Sequence, residues 1–382
     1  LSFSGSYADA KTNLRQLLQD AVQKRMIADV PLGVFLSGGV DSSLITAVAQ
    51  QQSGTPINTF AVKFDEAGFD ESGYAAAVAR QLGTRHTTIE CNYAEAIGLI
   101  ENYHRYYDEP FADASALPSM LLAKHTRQYV TVALSGDGGD ESFLGYSRYD
   151  WIRRVHQSFA VPYPLRRIAA QGLSAMPIRK LKQAAILLGC RNVEEAYIRL
   201  MSSFQPSWLI DATVAYPEAY KEFLSGQLPL LERVSAYDIK TYLNNDINTK
   251  VDRASMAFSL ETRAPLMDYR IVEFARTLPT NFKYEPGNKK RILKDLLYEL
   301  VPKTLIDRPK QGFGMPLAHW FRHHLKDMVL DELTVSALQA IPNLHVAHTQ
   351  QLIERHLSGK EDRHVLIWNL LVMVQWLKKE YQ

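Results

Sequence analysis

Apolar residues recur at two different spacings in the first third of the chain. Short apolar runs predict strands, and the stretches between them carry an apolar residue every three or four positions, which predicts amphipathic helices. The predicted strands are 33–36, 57–64, 86–91 and 130–134, and the predicted helices are 9–26, 41–51, 74–82 and 97–106. Strands that alternate with helices are typical of a parallel sheet with helices on both faces. We therefore predict an α/β fold built on a doubly wound parallel sheet.

After about residue 145 the strand pattern ends. Residues 151–245 are apolar and basic at helical spacing and contain several prolines, so we predict a large helical region. The most apolar stretch, Val365 to Leu377, is shorter than the ~20 residues of a membrane-spanning helix and predicts a buried C-terminal helix. We divide the chain into an α/β core at 1–145, a helical region at 146–245 and a C-terminal helical part at 246–382.

Composition excludes several classes of protein. The 382 residues are 46% hydrophobic and 22% charged, so the chain has enough apolar side chains for a sizeable core. Two cysteines do not make a disulfide-stabilised secreted protein. A net charge of +2 predicts no partner of high negative charge, such as nucleic acid or a membrane. We expect a protein of a reducing compartment, the cytoplasm.

One segment departs from this balance of charge. Residues 151–200 contain nine Lys or Arg side chains and two acidic ones, Glu194 and Glu195. Aromatic residues are not interleaved with the basic ones as they are in a surface on which nucleic-acid bases stack. We therefore predict a structural or protein-contact surface in this segment, rather than an RNA site.

The strongest chemical signal is the segment Leu36-Ser37-Gly38-Gly39-Val40-Asp41-Ser42-Ser43. A strand leads into two glycines and a helix follows, so the N–H groups of the helix N-terminus and the serine hydroxyls can bind an anion. Asp41 would repel a phosphate unless a cation lies between them, which implies Mg²⁺. The segment lacks the lysine of the P-loop. A Gly-Gly turn followed by an Asp or Ser that caps the helix is the structural alternative.

The loop from Ser37 to Ser42 resembles the pyrophosphate-binding loop of the ATP pyrophosphatases. These enzymes cleave ATP to AMP and pyrophosphate and activate a carboxylate or carbonyl as an adenylate. Four further segments resemble those of the asparagine synthetase family. They are 108–115 (DEPFADAS), 134–141 (LSGDGGDE), 252–268 (DRASM, then SLETRAPLMD) and 308–313 (RPKQGF). The five matches keep their order along nearly the whole chain, which is similar to the synthetase domain of this family.

The resemblance implies ATP and Mg²⁺ as cofactors and a sheet of the adenine-nucleotide alpha-hydrolase (ATP pyrophosphatase) type. It implies that Asp41 and Asp140 bind Mg²⁺ and that Lys290 and Lys310 contact the phosphates. Asp137, where the nucleophile would attack, and Lys310 are the implied catalytic residues. The residues implied to bind ATP and pyrophosphate are Leu36, Ser37, Gly38, Gly39, Asp41, Ser42, Val62, Ser135, Gly136 and Lys290.

The residue types alone leave structural roles open at several of these positions. Asp140 could cap a helix, and isolated lysines such as Lys290 and Lys310 usually lie on the surface. Near residue 265 we predict a structural turn that is fixed by buried pairing between arginine and carboxylate side chains. Pro265 should end a helix before it, and Asp268 should cap the helix that follows. Glu261 and Arg263 are the other residues of this turn.

The function implied by the resemblance is ATP-dependent amide synthesis. The side-chain carboxylate of aspartate is adenylated, ammonia attacks, and asparagine, AMP and pyrophosphate are released. The alternative is a related ATP pyrophosphatase that amidates or cyclises another acid, as in polysaccharide sugar amidation or in β-lactam and lasso-peptide synthesis. A tRNA-modifying enzyme is disfavoured because Cys-x-x-Cys pairs are absent. A non-catalytic nucleotide-binding module is disfavoured because the acidic and lysine positions are intact.

Glutamine-dependent members of the family begin with a glutaminase domain whose first residue is a nucleophilic cysteine. Neither Cys91 nor Cys190 matches that residue, and we expect both to be packing residues. We therefore expect this chain to use ammonia. A glutaminase domain or subunit and a second copy of the chain are the candidate protein partners.

Overall fold

The computed structural model describes residues 2–63, 70–91, 93–176, 178–203, 206–211, 221–307 and 314–381. Five parallel strands form the central sheet in the order β3-β2-β1-β4-β5. They are β1 Leu32–Phe35, β2 Asn58–Lys63, β3 Arg85–Glu90, β4 Val132–Leu134 and β5 Glu261–Arg263. A two-stranded hairpin, β6 Tyr284–Glu285 and β7 Asn288–Lys289, lies outside this sheet.

Helices make up most of the remaining regular structure. Before β5 they are α1 Tyr7–Met26, α2 Val40–Gln52, α3 Ser72–Leu82, α4 Tyr93–Glu101, α5 Ala116–Thr126, α6 Gly139–Ser142, α7 Ser147–Ser158, α8 Tyr163–Ser174, α9 Arg179–Leu188, α10 Val193–Met201, α11 Leu230–Asp238 and α12 Thr249–Met256. After β5 they are α13 Tyr269–Thr277, α14 Thr280–Lys283, α15 Arg291–Leu297, α16 Lys303–Ile306, α17 Leu317–Trp320, α18 Lys326–Glu332, α19 Val335–Gln339, α20 Val346–Leu357 and α21 His364–Tyr381. A π-helix, Ile239–Asn248, joins α11 to α12.

Successive strand residues point to opposite faces of the sheet, and both faces are covered. Phe60 and Val62 of β2 belong to an apolar cluster that includes residues of α5 and α21. Ala61, between them, belongs to a second cluster with residues of α1, α2 and α15. This alternation is the side-chain period of a strand. The predicted doubly wound parallel sheet with helices on both faces is confirmed.

The helical region has an apolar cluster of its own. It contains residues of α7, α9, α10 and α11, together with Tyr284 of β6. The predicted C-terminal helix is also present, as α21, and most of its apolar residues are buried. None of the described helices is long and apolar enough to cross a membrane.

The prediction of a helix that runs up to Pro265 is wrong. Helix α12 ends at Met256, the chain turns at Ser259 (φ +57°), and Glu261–Arg263 form the fifth strand. This strand pairs in parallel with β4, Val132 opposite Glu261. Three residues are too few to show an alternating pattern in the sequence. The strand is fixed instead by a distant contact, because Arg263 donates to the backbone oxygens of Arg25 and Ile27 at 2.9 and 2.7 Å.

The predicted role of Asp268 is confirmed. Its carboxylate accepts a hydrogen bond from the Arg270 backbone N–H (3.0 Å) at the start of α13. The same carboxylate pairs with the Arg270 and Arg25 side chains at 2.9 and 3.0 Å. These bonds, of which those to the Arg270 side chain are strongest, lower the pKa of Asp268. Arginine–carboxylate pairing therefore stabilises the turn between β5 and α13.

Candidate active site

A cavity of about 1230 Å³ lies at the carboxyl ends of β1, β2 and β4, where open parallel sheets bind ligands. Every predicted site residue that the structure describes lines this cavity. These residues are Leu36, Ser37, Gly38, Gly39, Asp41, Ser42, Val62, Ser135, Gly136, Asp137, Asp140 and Lys290. Lys310 lies outside the described residues. The structure brings distant segments together here, and the roles of these residues in binding and catalysis remain predictions.

The loop after β1 is held together by its own hydroxyl groups. The Ser37 backbone N–H donates to Ser42 Oγ (3.2 Å), and the two hydroxyl oxygens lie 3.0 Å apart. The N-cap of α2 is Gly39, which has extended backbone and makes no side-chain capping bond. Asp41 lies in the first turn of α2 rather than at its cap, so its carboxylate is available for contacts across the cavity.

The loop after β4 packs directly against the loop after β1. A Cβ atom on Gly139 would lie 2.5 Å from Asp41 Oδ1, and one on Gly136 would lie 2.7 Å from the Ser42 backbone nitrogen. Glycine is therefore required for the two strand ends to meet. Gly138 is the N-cap of α6, so Asp140 lies inside the short helix and does not cap it. The glycines of the two motifs thus set the distance between Asp41 and Asp140.

The ammonium group of Lys290 lies between these two aspartates. Its Nζ pairs with Asp140 Oδ1 at 2.7 Å and with Asp41 Oδ2. Burial alone would lower the pKa of Lys290, but Asp140 and Asp41 outweigh it and raise the pKa. Gly145 leaves room for this arrangement, because a Cβ there would lie 2.0 Å from Lys290 Cε and 2.1 Å from Asp140 Oδ1. We call Lys290, Asp41 and Asp140 the phosphate-side cluster.

The phosphate-side cluster has donors that suit Mg²⁺. Both aspartates offer carboxylate oxygens, the ligands this cation prefers, and both already contact one cation, the Lys290 ammonium. Among the described residues, no group of three or more His, Cys, Asp or Glu side chains forms a metal site. Mg²⁺ commonly keeps only one or two protein carboxylates and takes its other ligands from phosphate and water. Two aspartates beside a phosphate site therefore fit an ATP-bound Mg²⁺.

Glu141 was not predicted as a site residue, although it also lines the cavity. It is 1% exposed and accepts a hydrogen bond from the Tyr146 hydroxyl. Burial, together with the neighbouring Asp140, raises the pKa of Glu141 to about 7. The Arg148 guanidinium carbon lies 3.5 Å from the centre of the Tyr146 ring and fixes that ring from the other side. The sequence signal that could have identified Glu141 is its place at the end of the LSGDGGDE segment.

The helical wall of the cavity carries a second cluster that sequence reasoning missed. Lys250, which lines the cavity, donates to Asp113 Oδ2 (2.8 Å) and to Ser115 Oγ (2.9 Å). Burial opposes ionisation of Asp113, but Lys250 outweighs it and lowers the pKa to about 2. Burial and the adjacent Asp113 raise the pKa of Asp246, on the π-helix, to about 8. We call these four residues the helical-wall cluster. Asp113 and Ser115 were visible in the DEPFADAS segment, and Asp246 and Lys250 have helical i,i+4 spacing.

Comparisons with known proteins show the family of this chain. A sequence model of the Asparagine synthase family matches residues 13–378. Asparagine synthetase [glutamine-hydrolyzing] 1 of Bacillus subtilis is 30% identical over 95% of this chain and 58% of that protein. Amidase chyE of Penicillium rubens is 23% identical over 91% of this chain and 58% of that protein. The chain thus spans just under three fifths of the length of these relatives.

Among solved structures, an NMN synthetase from Francisella tularensis matches 37% of this chain and 59% of its own, with 20% identity and a TM-score of 0.27. A TM-score this low does not establish a shared fold. The family match, in contrast, covers nearly the whole chain and confirms the resemblance seen in the motifs. The chain belongs to the asparagine synthase family.

Proposed function

We propose that this chain is a carbon–nitrogen ligase that makes an amide at the expense of ATP. One observation carries the proposal. The ends of two neighbouring parallel strands hold Asp41 and Asp140 on the Lys290 ammonium, beside a glycine-rich loop at the start of α2. That arrangement suits a nucleoside triphosphate with Mg²⁺ and not a neutral ligand. Membership of the asparagine synthase family supports the same activity.

ATP would lie with its phosphates on the loop after β1. Ser37 and Ser42 offer hydroxyl groups there, and Lys289, Lys290 and Lys294 add positive charge to the same cavity. Leu36 and Val62 are buried apolar residues that suit contact with adenine. Bound Mg²⁺ would neutralise charge as pyrophosphate leaves. Preorganised donors at this point lower the barrier because they meet charge as it develops.

The acceptor carboxylate would attack the α-phosphorus of ATP and release pyrophosphate. Ammonia would then attack the acyl carbon of the adenylate, AMP would leave, and the amide would remain. The attacking nitrogen must lose a proton, and Asp137, on the cavity wall, is our candidate to accept it. Lys310 keeps its predicted catalytic role. We favour aspartate as the acceptor because the family relatives are named asparagine synthetases.

Ammonia is the nitrogen source that we propose for this chain. A glutaminase needs a thiolate at neutral pH. Burial, with a smaller effect of Glu95, raises the pKa of Cys91 to about 12, and burial raises the pKa of Cys190 to about 12. Cys190 is buried and Cys91 is only partly exposed, whereas a nucleophilic cysteine has exposed surroundings that lower its pKa. Amide formation from ammonium but not from glutamine is therefore expected.

The test uses ATP, Mg²⁺, ammonium and aspartate whose side-chain carboxylate carries ¹⁸O. Adenylation transfers one ¹⁸O atom to AMP, which mass spectrometry detects, and ³¹P NMR identifies pyrophosphate. A panel of other carboxylic acids then defines the acceptor, and glutamine replaces ammonium in a parallel reaction. Release of ADP and phosphate, or unlabelled AMP, would contradict the mechanism.

The variant that tests the role of Asp41 is Asp41→Asn, which keeps the shape of the side chain and removes its charge. We expect at least a 100-fold fall in kcat, because the variant loses a candidate Mg²⁺ ligand. The variant should still fold, because the buried Lys290 ammonium keeps its ion pair with Asp140 at 2.7 Å. Asp252→Asn, at a 64% exposed carboxylate outside the cavity lining, is the control and should retain full activity. Near-normal turnover of Asp41→Asn would remove Asp41 from the site.

A further inference from the structure

Helices α8 and α9 present large apolar side chains to solvent. Leu165 and Ile168 of α8 are 58% and 66% exposed, and Ile186 of α9 is 45% exposed. Met176 and Ile178, in the connection between the two helices, are 45% and 55% exposed. Residues 165 and 168 are three positions apart and so share one face of α8. We call these five residues the apolar face.

The apolar face belongs to a firmly held helix pair. Arg166, 5% exposed, donates to the backbone oxygens of Val161 (3.1 Å), Leu188 and Cys190 (both 2.9 Å). Its guanidinium also lies 4.0 Å from the centre of the Phe159 ring. One buried arginine thus ties the start of α8 to the end of α9. The apolar side chains are therefore exposed on an ordered surface, because hydrogen bonds from Arg166 hold the two helices together.

The segment of sequence that carries the apolar face is locally basic. Residues 151–193 contain eight Lys or Arg residues and no Asp or Glu, in a chain with 43 basic and 41 acidic residues overall. Arg167 on α8 and Lys182 on α9 are exposed. The near-neutral charge of the whole chain hides this local excess, which is why composition predicted no negatively charged partner.

We propose that the α8–α9 pair docks on the surface of an anionic lipid bilayer. Amphipathic helices that lie in a membrane interface combine exposed aliphatic side chains with Lys and Arg, as here. Anionic headgroups attract the basic residues, and the apolar face enters the boundary between headgroups and acyl chains. The helices would lie on the bilayer and not cross it, because α8 has 12 residues and α9 has 10, fewer than the ~20 that span a bilayer.

Two other occupants fit this surface less well. A second copy of the chain that docked through the same face would bring two acid-free basic surfaces together, and like charges repel. RNA would use the basic residues but would leave the aliphatic side chains exposed, because bases stack on aromatic rings. An anionic bilayer is the partner that uses both the charge and the apolar residues.

The test is co-sedimentation of the full chain with 100-nm vesicles. We expect binding to vesicles of phosphatidylcholine with 30% phosphatidylglycerol, at least tenfold weaker binding to phosphatidylcholine alone, and loss of binding as NaCl rises from 50 to 500 mM. Ile168→Glu should weaken binding at least tenfold, and so should the neutral variant Ile168→Ser together with Met176→Ser. Leu330→Glu, at a 52% exposed leucine of α18, is the matched control and should bind as the wild type does.

Melting temperatures and circular dichroism check that each variant is folded. Failure of the wild type to bind anionic vesicles, or equal binding by the Ile168 and Leu330 variants, overturns the proposal. A dimer that Ile168→Glu dissociates in analytical ultracentrifugation, with no vesicle binding, would assign the surface to a second copy. Salt-sensitive binding of an RNA oligonucleotide without vesicle binding would assign it to RNA. The test does not depend on the proposed ligase activity.

Discussion

Two lysine–carboxylate clusters lie at the same cavity, each with its lysine in the cavity lining, and they balance their charge in different ways. In the phosphate-side cluster, Lys290 contacts both Asp41 and Asp140. In the helical-wall cluster, Lys250 contacts Asp113 and Ser115, and the second carboxyl, Asp246, has a pKa of about 8 and keeps its proton at neutral pH. One ammonium compensates one buried carboxylate, and a second carboxylate needs either a proton or another cation. The phosphate side is suited to a metal ion, whereas the helical wall completes its balance with a proton.

The two clusters also differ in what builds them. Three glycines leave room for the phosphate side. Gly136 lies against the backbone of the loop after β1, whereas Gly139 and Gly145 lie against the side chains of the cluster. Side chains on α12, the π-helix and the segment before α5 form the helical wall. A new side chain at these glycines would displace Asp41, Asp140 or Lys290, so substitutions on the phosphate side should mainly affect activity. Substitutions on the helical wall should mainly affect stability.

Among the substitutions that compare the two clusters, the largest effect is expected for Gly145→Ala. The new methyl group would occupy the space of Lys290 Cε and Asp140 Oδ1, so the phosphate-side cluster must open. Displacement of catalytic groups by about 1 Å can cost 100-fold in rate, and we expect kcat to fall by about 10- to 100-fold. Steady-state kinetics of AMP release measures this. Gly98→Ala, where a Cβ meets nothing within 4 Å, is the matched control. Equal activity of the two variants would contradict the assignment.

Lys250→Met should mainly destabilise the protein. It leaves the Asp113 carboxylate buried without its cation, and breaking a buried ion pair costs about 3–5 kcal/mol. Urea unfolding gives the free energy of unfolding. Lys24→Met removes a lysine from an exposed i,i+4 pair with Asp20 and should change stability by less than about 1 kcal/mol. If Lys250→Met is as stable as Lys24→Met, the helical-wall cluster is not balanced as described.

Asp246→Asn should change how stability depends on pH. The folded pKa of Asp246, about 8, is above the ordinary value of 3.8, so the folded state binds a proton that the unfolded state has lost. Its stabilising contribution is present at low pH and is lost as pH rises from about 4 through 8. The asparagine variant does not lose this stability. Its free energy of unfolding should therefore rise relative to that of the wild type by up to about 1.4 kcal/mol per pH unit in that window. Urea unfolding between pH 5 and 9 measures the difference, and parallel curves would contradict the raised pKa.

The sequence was most informative where local patterns decide the structure. The strand runs predicted the sheet, and the Gly-rich turns after 36 and 134 predicted loops at its carboxyl edge, because apolar spacing and the need for glycine are both readable in one sequence. Asp140 and Lys290 were assigned to this edge only through the family resemblance. It was least informative about β5, a three-residue strand that depends on Arg263 reaching backbone oxygens 236 and 238 residues away. The ion pair between Asp113 and Lys250 likewise joins residues 137 positions apart. Such partners are chosen by tertiary packing, which no local pattern records.

The π-helix Ile239–Asn248 has a practical consequence for directed evolution. Tyr242 and Ile247 of this segment face the cavity along with Val251 of α12 and Ser119 of α5. None of these residues is among the nearest contacts of Gly136, Gly139 or Gly145. On the proposed function, a library at Ser119, Ile247 and Val251 would therefore alter which acids enter the cavity while the loops after β1 and β4 keep their contacts. On the proposed function, substitutions in those loops would instead weaken the binding of ATP.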